Sequence, residues 1–391
     1  MSQQPIDLSD DLRRLRDEGY EVEVREGHLL VHHVPYVGRS KTVAFGTLVS
    51  TLSLAGDRTT RPDSHIAFFA GEYPCHRDGS QIEQLRHQSG QQQLAAQVVV
   101  DHSFSNKPPD GYVDYHHKMT TYINVISSPA MAIDATATPR TFASVVPAAT
   151  ESSLVYLDTS SSRYGISTIT EKLKGLKVAI VGVGGTGSYV LDLVAKTPVA
   201  EIHLYDGDQL VSHNAFRSPG AASLDDLRAS PHKAEYFANS YGRMHRGIVA
   251  HPQFISASNV DELARFDFVF VCVDVGEIKR VIFERLRAAN VTFVDVGMGV
   301  EIVDDSLMGI LRTTTVTPKA YEHVSKRVPF HDGGNDVYRT AVQVADLNML
   351  NAALAVIKWK KLYGFYQDLE HEHNTTYSTN MNAVINDDYQ T

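Results

Sequence analysis

The run Lys177-Val-Ala-Ile-Val-Gly-Val-Gly-Gly-Thr-Gly187, followed nineteen residues after Gly187 by Asp206 in Leu204-Tyr-Asp206-Gly-Asp208, decides the fold of this chain. An apolar β-branched strand, a glycine-rich turn, a helix and a second strand ending in carboxylate make the opening βαβ unit of a nucleotide-binding sheet. Gly182 and Gly184 allow the tight turn and the close approach of backbone to a phosphate, Gly185 follows them, and Gly187 lets the helix lie against the strand. The helix amides beyond Gly184 then offer donors, and a favourable dipole, to phosphate charge.

Outward from that unit the same alternation continues. Strands are expected at 178–181, 201–205, 248–251, 268–273 and 292–296, with helices at 187–196, 231–241 and 277–289 between them. The order gives an α/β, doubly wound, mostly parallel Rossmann-like sheet. Residues 301–317 read as further strands and 337–363 as a long helical pattern. Upstream, residues 9–18 read as a short charged helix with Ser9 as its cap. Strand-like runs follow at 21–24, 29–34, 42–49, 65–69 and 97–100, while 117–127 fits helix or strand. Ala, Thr, Ser and Pro dominate 130–162, a linker with one apolar island at 154–157. Two domains are therefore expected: an α+β or mostly β domain over 1–150 and the α/β domain over 160–391.

Composition bounds the function. A chain of 391 residues can bury two cores, and 43% hydrophobic with 21% charged residues is ordinary for a globular protein. The net charge of -10 argues against nucleic acid as the main partner. The amino terminus lacks a basic flank with an apolar core, and no run reaches the length of a membrane span, so a cytoplasmic location is expected. The two cysteines, Cys75 and Cys272, make neither a disulfide framework nor a four-thiolate zinc site.

A lone glycine fingerprint suggests NAD, but the residues downstream point elsewhere. The chain continues Asp206-Gly-Asp-Gln-Leu-Val-Ser-His-Asn214-Ala-Phe-Arg217, then Ser230-Pro-His-Lys233, and a later strand ends Phe270-Val-Cys-Val-Asp274. This series resembles the adenylating module of the ThiF and MoeB family, to which the ubiquitin-activating enzymes belong. The family reads GxGGxG, DxDxVxxSNLxRQ, a lysine after a turn, and a strand ending in CTD. The resemblance covers roughly 163–391, with specific motifs from 177 to 274. It implies adenylation, in which a carboxylate attacks the α-phosphorus of ATP and pyrophosphate leaves.

By that resemblance Asp206 accepts the ribose hydroxyls, Asn214 hydrogen-bonds the phosphates, Arg217 and Lys233 neutralise them, and Asp274 binds magnesium. The residue types suit those duties. A guanidinium fork grips two oxygens, an ammonium is a compact charge, and magnesium takes one or two carboxylates with phosphate oxygens and water. Read without the resemblance, Asp206 is a solvated strand-end carboxylate, Arg217 and Lys233 are surface cations, and Asp274 is a helix cap. The family also implies a homodimer, with an arginine before the glycine strand reaching the partner's ATP. Here Ser162-Arg163-Tyr164-Gly-Ile166 departs from its RYxRQ pattern, which leaves Arg163 a weak candidate for that role.

Other departures matter more. Residues 275–391 contain no cysteine, which excludes the usual thioester position of ubiquitin-activating enzymes, and the paired zinc-binding CxxC motifs are absent, so no structural zinc is expected. Cys272 reads as a buried strand residue. Cys75, in Gly71-Glu-Tyr-Pro-Cys75-His-Arg-Asp-Gly79, is the remaining acyl-acceptor candidate, and His76 and Arg77 beside it would lower its pKa; an inert loop cysteine is the plainer reading. The first domain holds nine of the eighteen histidines without ligand spacing, which favours structural histidines over a metal site.

The preferred reading is an activating enzyme that adenylates the C-terminal carboxylate of a ubiquitin-like or other small protein. The first domain would recognise substrate, and the product would pass to a separate carrier or conjugating protein, to Cys75, or directly to an amine or sulfur acceptor. The alternatives are adenylation of a small molecule or RNA base, and a non-catalytic nucleotide-binding partner subunit. An NAD-dependent dehydrogenase ranks last, because it leaves Arg217, Lys233 and Asp274 without a purpose.

Overall fold

The computed structural model describes residues 4–143, 152–156, 158, 160, 161, 164, 166–274, 276–330 and 342–386. The chain forms two compact units, one on the residues up to Ser152 with 156–167, the other on Ser153–Val155 with Thr168 onward. Three residues of the expected linker thus belong to the second unit. Leu154, 8% exposed, bridges antiparallel to His245, and the Val155 amide donates to the Met244 carbonyl at 2.8 Å. Burial of the Leu154 side chain favours this attachment.

The first unit is a six-stranded antiparallel sheet with helices on one face. Its strands are β1 (Glu21–Arg25), β2 (His28–Val37), β3 (Val43–Thr51), β4 (Ile66–Ala70), β5 (Arg86–Ala95) and β6 (Val98–Ser105), in the order β1-β2-β3-β4-β6-β5. Strands β1 and β4 bury alternate residues, Val22 and Val24, then Ala67 and Phe69. The period of two turns one face toward α1 (Asp10–Asp17) and α2 (Tyr115–Met131). The stretch that fitted helix or strand is therefore helix. Asp114 accepts from the His117 amide at 2.7 Å as its cap, and Tyr115, Met119, Tyr122, Ile123 and Ile126 form its buried face. Ser9, expected as a cap, makes no capping bond; its hydroxyl accepts from the Thr59 amide at 2.9 Å instead.

The second unit carries an eight-stranded sheet. In chain order the strands are β7 (Lys177–Val181), β8 (Glu201–Tyr205), β9 (Ile248–His251), β10 (Phe268–Val271), β11 (Thr292–Val303), β12 (Ser306–Val316), β13 (Asn374–Ser378) and β14 (Ala383–Asn386). Their spatial order is β9-β8-β7-β10-β11-β12-β13-β14. Strands β9 through β11 pair in parallel. The remaining pairings are antiparallel, and β11 runs past its expected end at 296 to pair with β12 over its whole length. The chain winds from β7 outward to β9 and then crosses to β10 on the other side of β7, so the topological switch point, where open α/β sheets bind ligands, lies between the ends of β7 and β10.

Helices α3 (Gly185–Val194), α4 (Lys233–Tyr241), α5 (Gly276–Ala288) and α6 (Ala345–Leu362) cover the sheet. Helix α6 buries Ala352, Ala355, Val356 and Trp359 with Val178, Ile180, Phe268 and Phe270, which places it against the sheet. The expected start of this helix, at 337, lies outside the described residues. Among the described residues no helix is long and apolar enough to cross a membrane.

Candidate active site

The turn after β7 is shaped by contacts that only glycine tolerates. Gly182 has φ +87°, and a Cβ there would stand 2.7 Å from the Cys272 carbonyl oxygen. A Cβ on Gly187 would fall on the Gly182 carbonyl oxygen, so this glycine sets how closely α3 meets the strand. Gly184, the N-cap of α3, has nothing within 4 Å of the same position. No neighbour requires a glycine there, and the open side is the one a phosphate would approach.

Asp206 secures this turn from the next strand. It is 6% exposed; one carboxylate oxygen accepts from the Val183 amide at 2.8 Å, the other from the Asp208 amide at 2.9 Å. Each oxygen keeps a second lone pair. The carboxylate at the strand end is thus a buried structural clasp, and the solvated strand-end alternative does not describe it.

The segment from 208 to 233 folds back on itself. The Lys233 amide donates to the Asp208 carbonyl at 2.9 Å, the Leu210 amide donates to the Pro231 carbonyl at 2.8 Å, and Gln209 bridges to His232. This pairing delays α4 until Lys233, two residues after its expected start. Lys233, 6% exposed, places its ammonium 2.7 Å from the Asp208 carboxylate, leaving two of its three N–H bonds for another acceptor. It is not a surface cation.

Asn214, 2% exposed, accepts from the Val211 amide at 2.9 Å through Oδ1, while its Nδ2 is buried without an acceptor. The Arg217 Nε, the Ser218 hydroxyl and the His232 Nδ1 are also buried without partners. Buried donors are normally satisfied, because an unpaired one costs about 1–3 kcal/mol. Three donors and a ring nitrogen left unpaired in two short stretches, between the Asp206 clasp and the start of α4, fit a ligand rich in acceptors. A nucleotide triphosphate meets that requirement.

On the other side of the turn, β10 ends at Val271 and the chain passes through Cys272 and Val273 to Asp274, which is exposed. Behind it Asp295, fully buried, is ion-paired with Lys279 of α5 at 3.0 Å and with Arg312 of β12. Burial, with the Asp295 charge adding to it, pushes the Cys272 thiol well above its ordinary range, so this cysteine is inert. Among the described residues no group of three or more metal-ligating side chains occurs; Asp274 would hold a magnesium ion only together with phosphate oxygens.

Two sequence candidates stand apart. Arg163 lies outside the described residues. Cys75 sits in the first unit, fully buried, bridging Val37 and Gln81, with its thiol donating to the Tyr73 carbonyl at 3.3 Å. Burial raises its pKa, the largest influence on it, and outweighs the opposing effect of Arg39. The expectation that His76 and Arg77 activate it therefore fails: the chain buries the thiol between strands instead of presenting it at a turn.

Residues 161–304 match the family described as ThiF family, and residues 10–159 match one described as a domain of unknown function, DUF6791. Residues 161–304 are a ThiF-family domain. Similar curated proteins include ubiquitin-like modifier-activating enzyme 5 of Culex quinquefasciatus, 26% identical over 161 residues that cover 38% of this chain and 40% of that protein. The Xenopus laevis protein of the same name is 28% identical over 131 residues, covering 31% and 33%. The match therefore spans two fifths or less of these relatives' length. Similar solved structures include E. coli MccB with MccA-N7isoASN, at 19% identity and TM-score 0.48 over 59% of this chain and 69% of that one. Another is PaaA, at 17% and 0.46 over 57% and 67%.

One residue that touches the turn carries no motif. Asn348, 1% exposed on α6, accepts from the Thr186 hydroxyl at 2.9 Å, and its amide occupies the place a side chain on Gly185 would need. The signal in the sequence is an asparagine on the apolar face of a helix, repeated three residues later at Asn351.

Proposed function

We propose that the second unit adenylates the C-terminal carboxylate of a ubiquitin-like or other small protein, using ATP and magnesium. The observation that carries this reading is the set of buried, unpaired polar atoms on Asn214, Arg217, Ser218 and His232, in the segment between Asp206, which clasps the glycine turn at the switch point of the sheet, and Lys233. In this reading the amides at Gly184, Gly185 and Gly187 face the phosphates, and Asp206 accepts the ribose hydroxyls on its remaining lone pairs. Asn214, Arg217 and Lys233 hold phosphate oxygens. Asp274 holds the magnesium ion, which would offset charge on the triphosphate.

A carboxylate oxygen of the substrate attacks the α-phosphorus. The bond from that phosphorus to the bridging oxygen breaks, and pyrophosphate leaves with the electron pair. Arg217 and Lys233 act as the charge moves toward the leaving pyrophosphate, where fixed cations at a partly dehydrated site stabilise the transition state most. No proton has to be removed from the carboxylate, so the absence of a general base among these residues is consistent with the chemistry. The name shared by the curated relatives supports a ubiquitin-like protein as the substrate class, and the first unit serves as its recognition domain. Burial of Cys75 and the raised pKa of the half-buried Cys272 favour release of the acyl adenylate to a separate acceptor over a thioester on this chain. A homodimer is the proposed assembly.

ATP–pyrophosphate exchange tests the proposal. With magnesium and ubiquitin-like proteins ending in free glycine, exchange should depend on the protein substrate and vanish in Asp274→Ala. Exchange that persists in Asp274→Ala would remove that residue from the site. Nucleotide binding without exchange for any such protein would favour a non-catalytic partner.

A further inference from the structure

We propose that Asn348 is a positioning residue that holds the phosphate-binding turn from the C-terminal helix, so that affinity for a triphosphate depends on α6. The inference rests on the reading that this turn binds nucleotide phosphates.

An asparagine inside a helix and inside a core is unfavourable twice: its side chain competes for backbone hydrogen bonds, and its amide loses water. The neighbouring face of α6 is built from Ala352, Ala355, Val356 and Trp359, so an aliphatic residue would pack there without that cost. Asn348 satisfies its polar atoms in a specific way. Nδ2 donates to the Val344 carbonyl of its own helix at 3.1 Å, and Oδ1 accepts from Thr186 at 2.9 Å. The amide also fills the space beside Gly185.

The turn is otherwise held at its beginning. Asp206 grips the Val183 amide, and Cys272 lies against Gly182. Asn348 reaches residues 185 and 186, in the first turn of α3, where the amides have no intrahelical acceptor and would face phosphate oxygens. Asn351 provides an internal comparison. It is equally buried on the same helix, yet its Nδ2 donates to the Gly297 carbonyl at 3.1 Å, away from the turn. Loss of Asn348 should therefore loosen the phosphate half of the site while Asp206 and the nucleoside half stay in place.

Calorimetric titration of the full chain with ATP and, separately, adenosine tests this. Asn348→Ala should weaken ATP binding on the order of tenfold, the effect of losing one positioning hydrogen bond, with adenosine affinity unchanged within about twofold. Asn351→Ala should lower the thermal midpoint without separating the two ligands. Gly185→Ala should lose ATP binding, and the double variant Gly185→Ala/Asn348→Ala should recover the affinity of Asn348→Ala alone, because the overlap is removed. Equal loss of ATP and adenosine in Asn348→Ala, no loss at all, or a double variant no better than Gly185→Ala would overturn the inference. A wild-type chain that binds no ATP would overturn the functional reading with it; a wild-type chain that binds ATP as Asn348→Ala does would overturn this inference only.

Discussion

Two clusters of buried polar groups, one in each unit, differ in how far they are hydrogen-bonded. In the first, Lys118 is fully buried and its ammonium donates to the Ser50 hydroxyl and the Ser64 carbonyl, both at 2.8 Å. Asp11 accepts from the Leu12 amide, the Thr59 hydroxyl and the Tyr115 amide between 2.7 and 3.0 Å. Tyr122 donates to the His65 carbonyl and accepts from the Asn106 amide. Each of these groups finds its partners inside the unit. In the segment that leads from Asp206 to α4 in the second unit, Asn214, Arg217, Ser218 and His232 hold buried polar atoms without partners. Charge and burial are alike in the two clusters and completeness of hydrogen bonding is not; single unpaired atoms such as Ser127 Oγ and Trp359 Nε1 occur elsewhere, and it is the grouping around 214–218 that marks the second cluster.

That comparison predicts where damage should appear. The largest effect on chemistry is expected at Arg217. Arg217→Ala should lower kcat/KM for ATP in exchange by about a hundredfold or more, the scale of losing a transition-state donor, with no change in thermal midpoint. Unfolding at a lower temperature instead would make Arg217 architectural and end the contrast. The converse is expected in the first unit. Asp11→Ala should cost about 2–3 kcal/mol of stability, because it strands two amides and a hydroxyl, while ATP affinity stays as in the wild type. Denaturant titration and ATP titration on the same preparation give both numbers.

The α/β half was legible because its signals are local and periodic. The turn from Gly182 to Gly187, the strand at 177–181 and the carboxylate of Asp206 lie within one βαβ unit whose spacing is set by backbone geometry. The order of motifs also named Asn214, Arg217, Lys233 and Asp274 as candidates, and of these Asn214 and Lys233 are buried. Three things were not visible. The clasp role of Asp206 depends on the Val183 amide arriving beside it. Asn348 reaches the turn from 162 residues downstream, a tertiary contact with no spacing rule. In the first unit, Cys75 reads as a turn thiol next to two basic residues, but the pairing of its backbone with Val37 and Gln81 draws it into the sheet. Pro74 and Gly79 signal a turn correctly, and it is the next strand over that decides which side chain the turn encloses.

The smallest effect, and the sharpest test of a closed polar cluster, is the pH response of Lys118. Burial lowers its pKa to about 8, with Asp63 opposing the shift, whereas an unfolded lysine titrates near 10.4. Below pH 8 both states carry the proton and the cost of burying the cation is present in full. Between about 8 and 10.4 the unfolded chain binds more protons than the folded one, so this residue makes stability rise with pH across that window. Other lysines and tyrosines titrate there too, but they do so equally in Lys118→Met. The difference in unfolding free energy, wild type minus Lys118→Met, should therefore climb between pH 8 and 10 and be flat below 8. A difference that stays flat throughout would mean that Ser50 and Ser64 hold the ammonium as well as water does, and that a closed cluster leaves no electrostatic cost for pH to relieve.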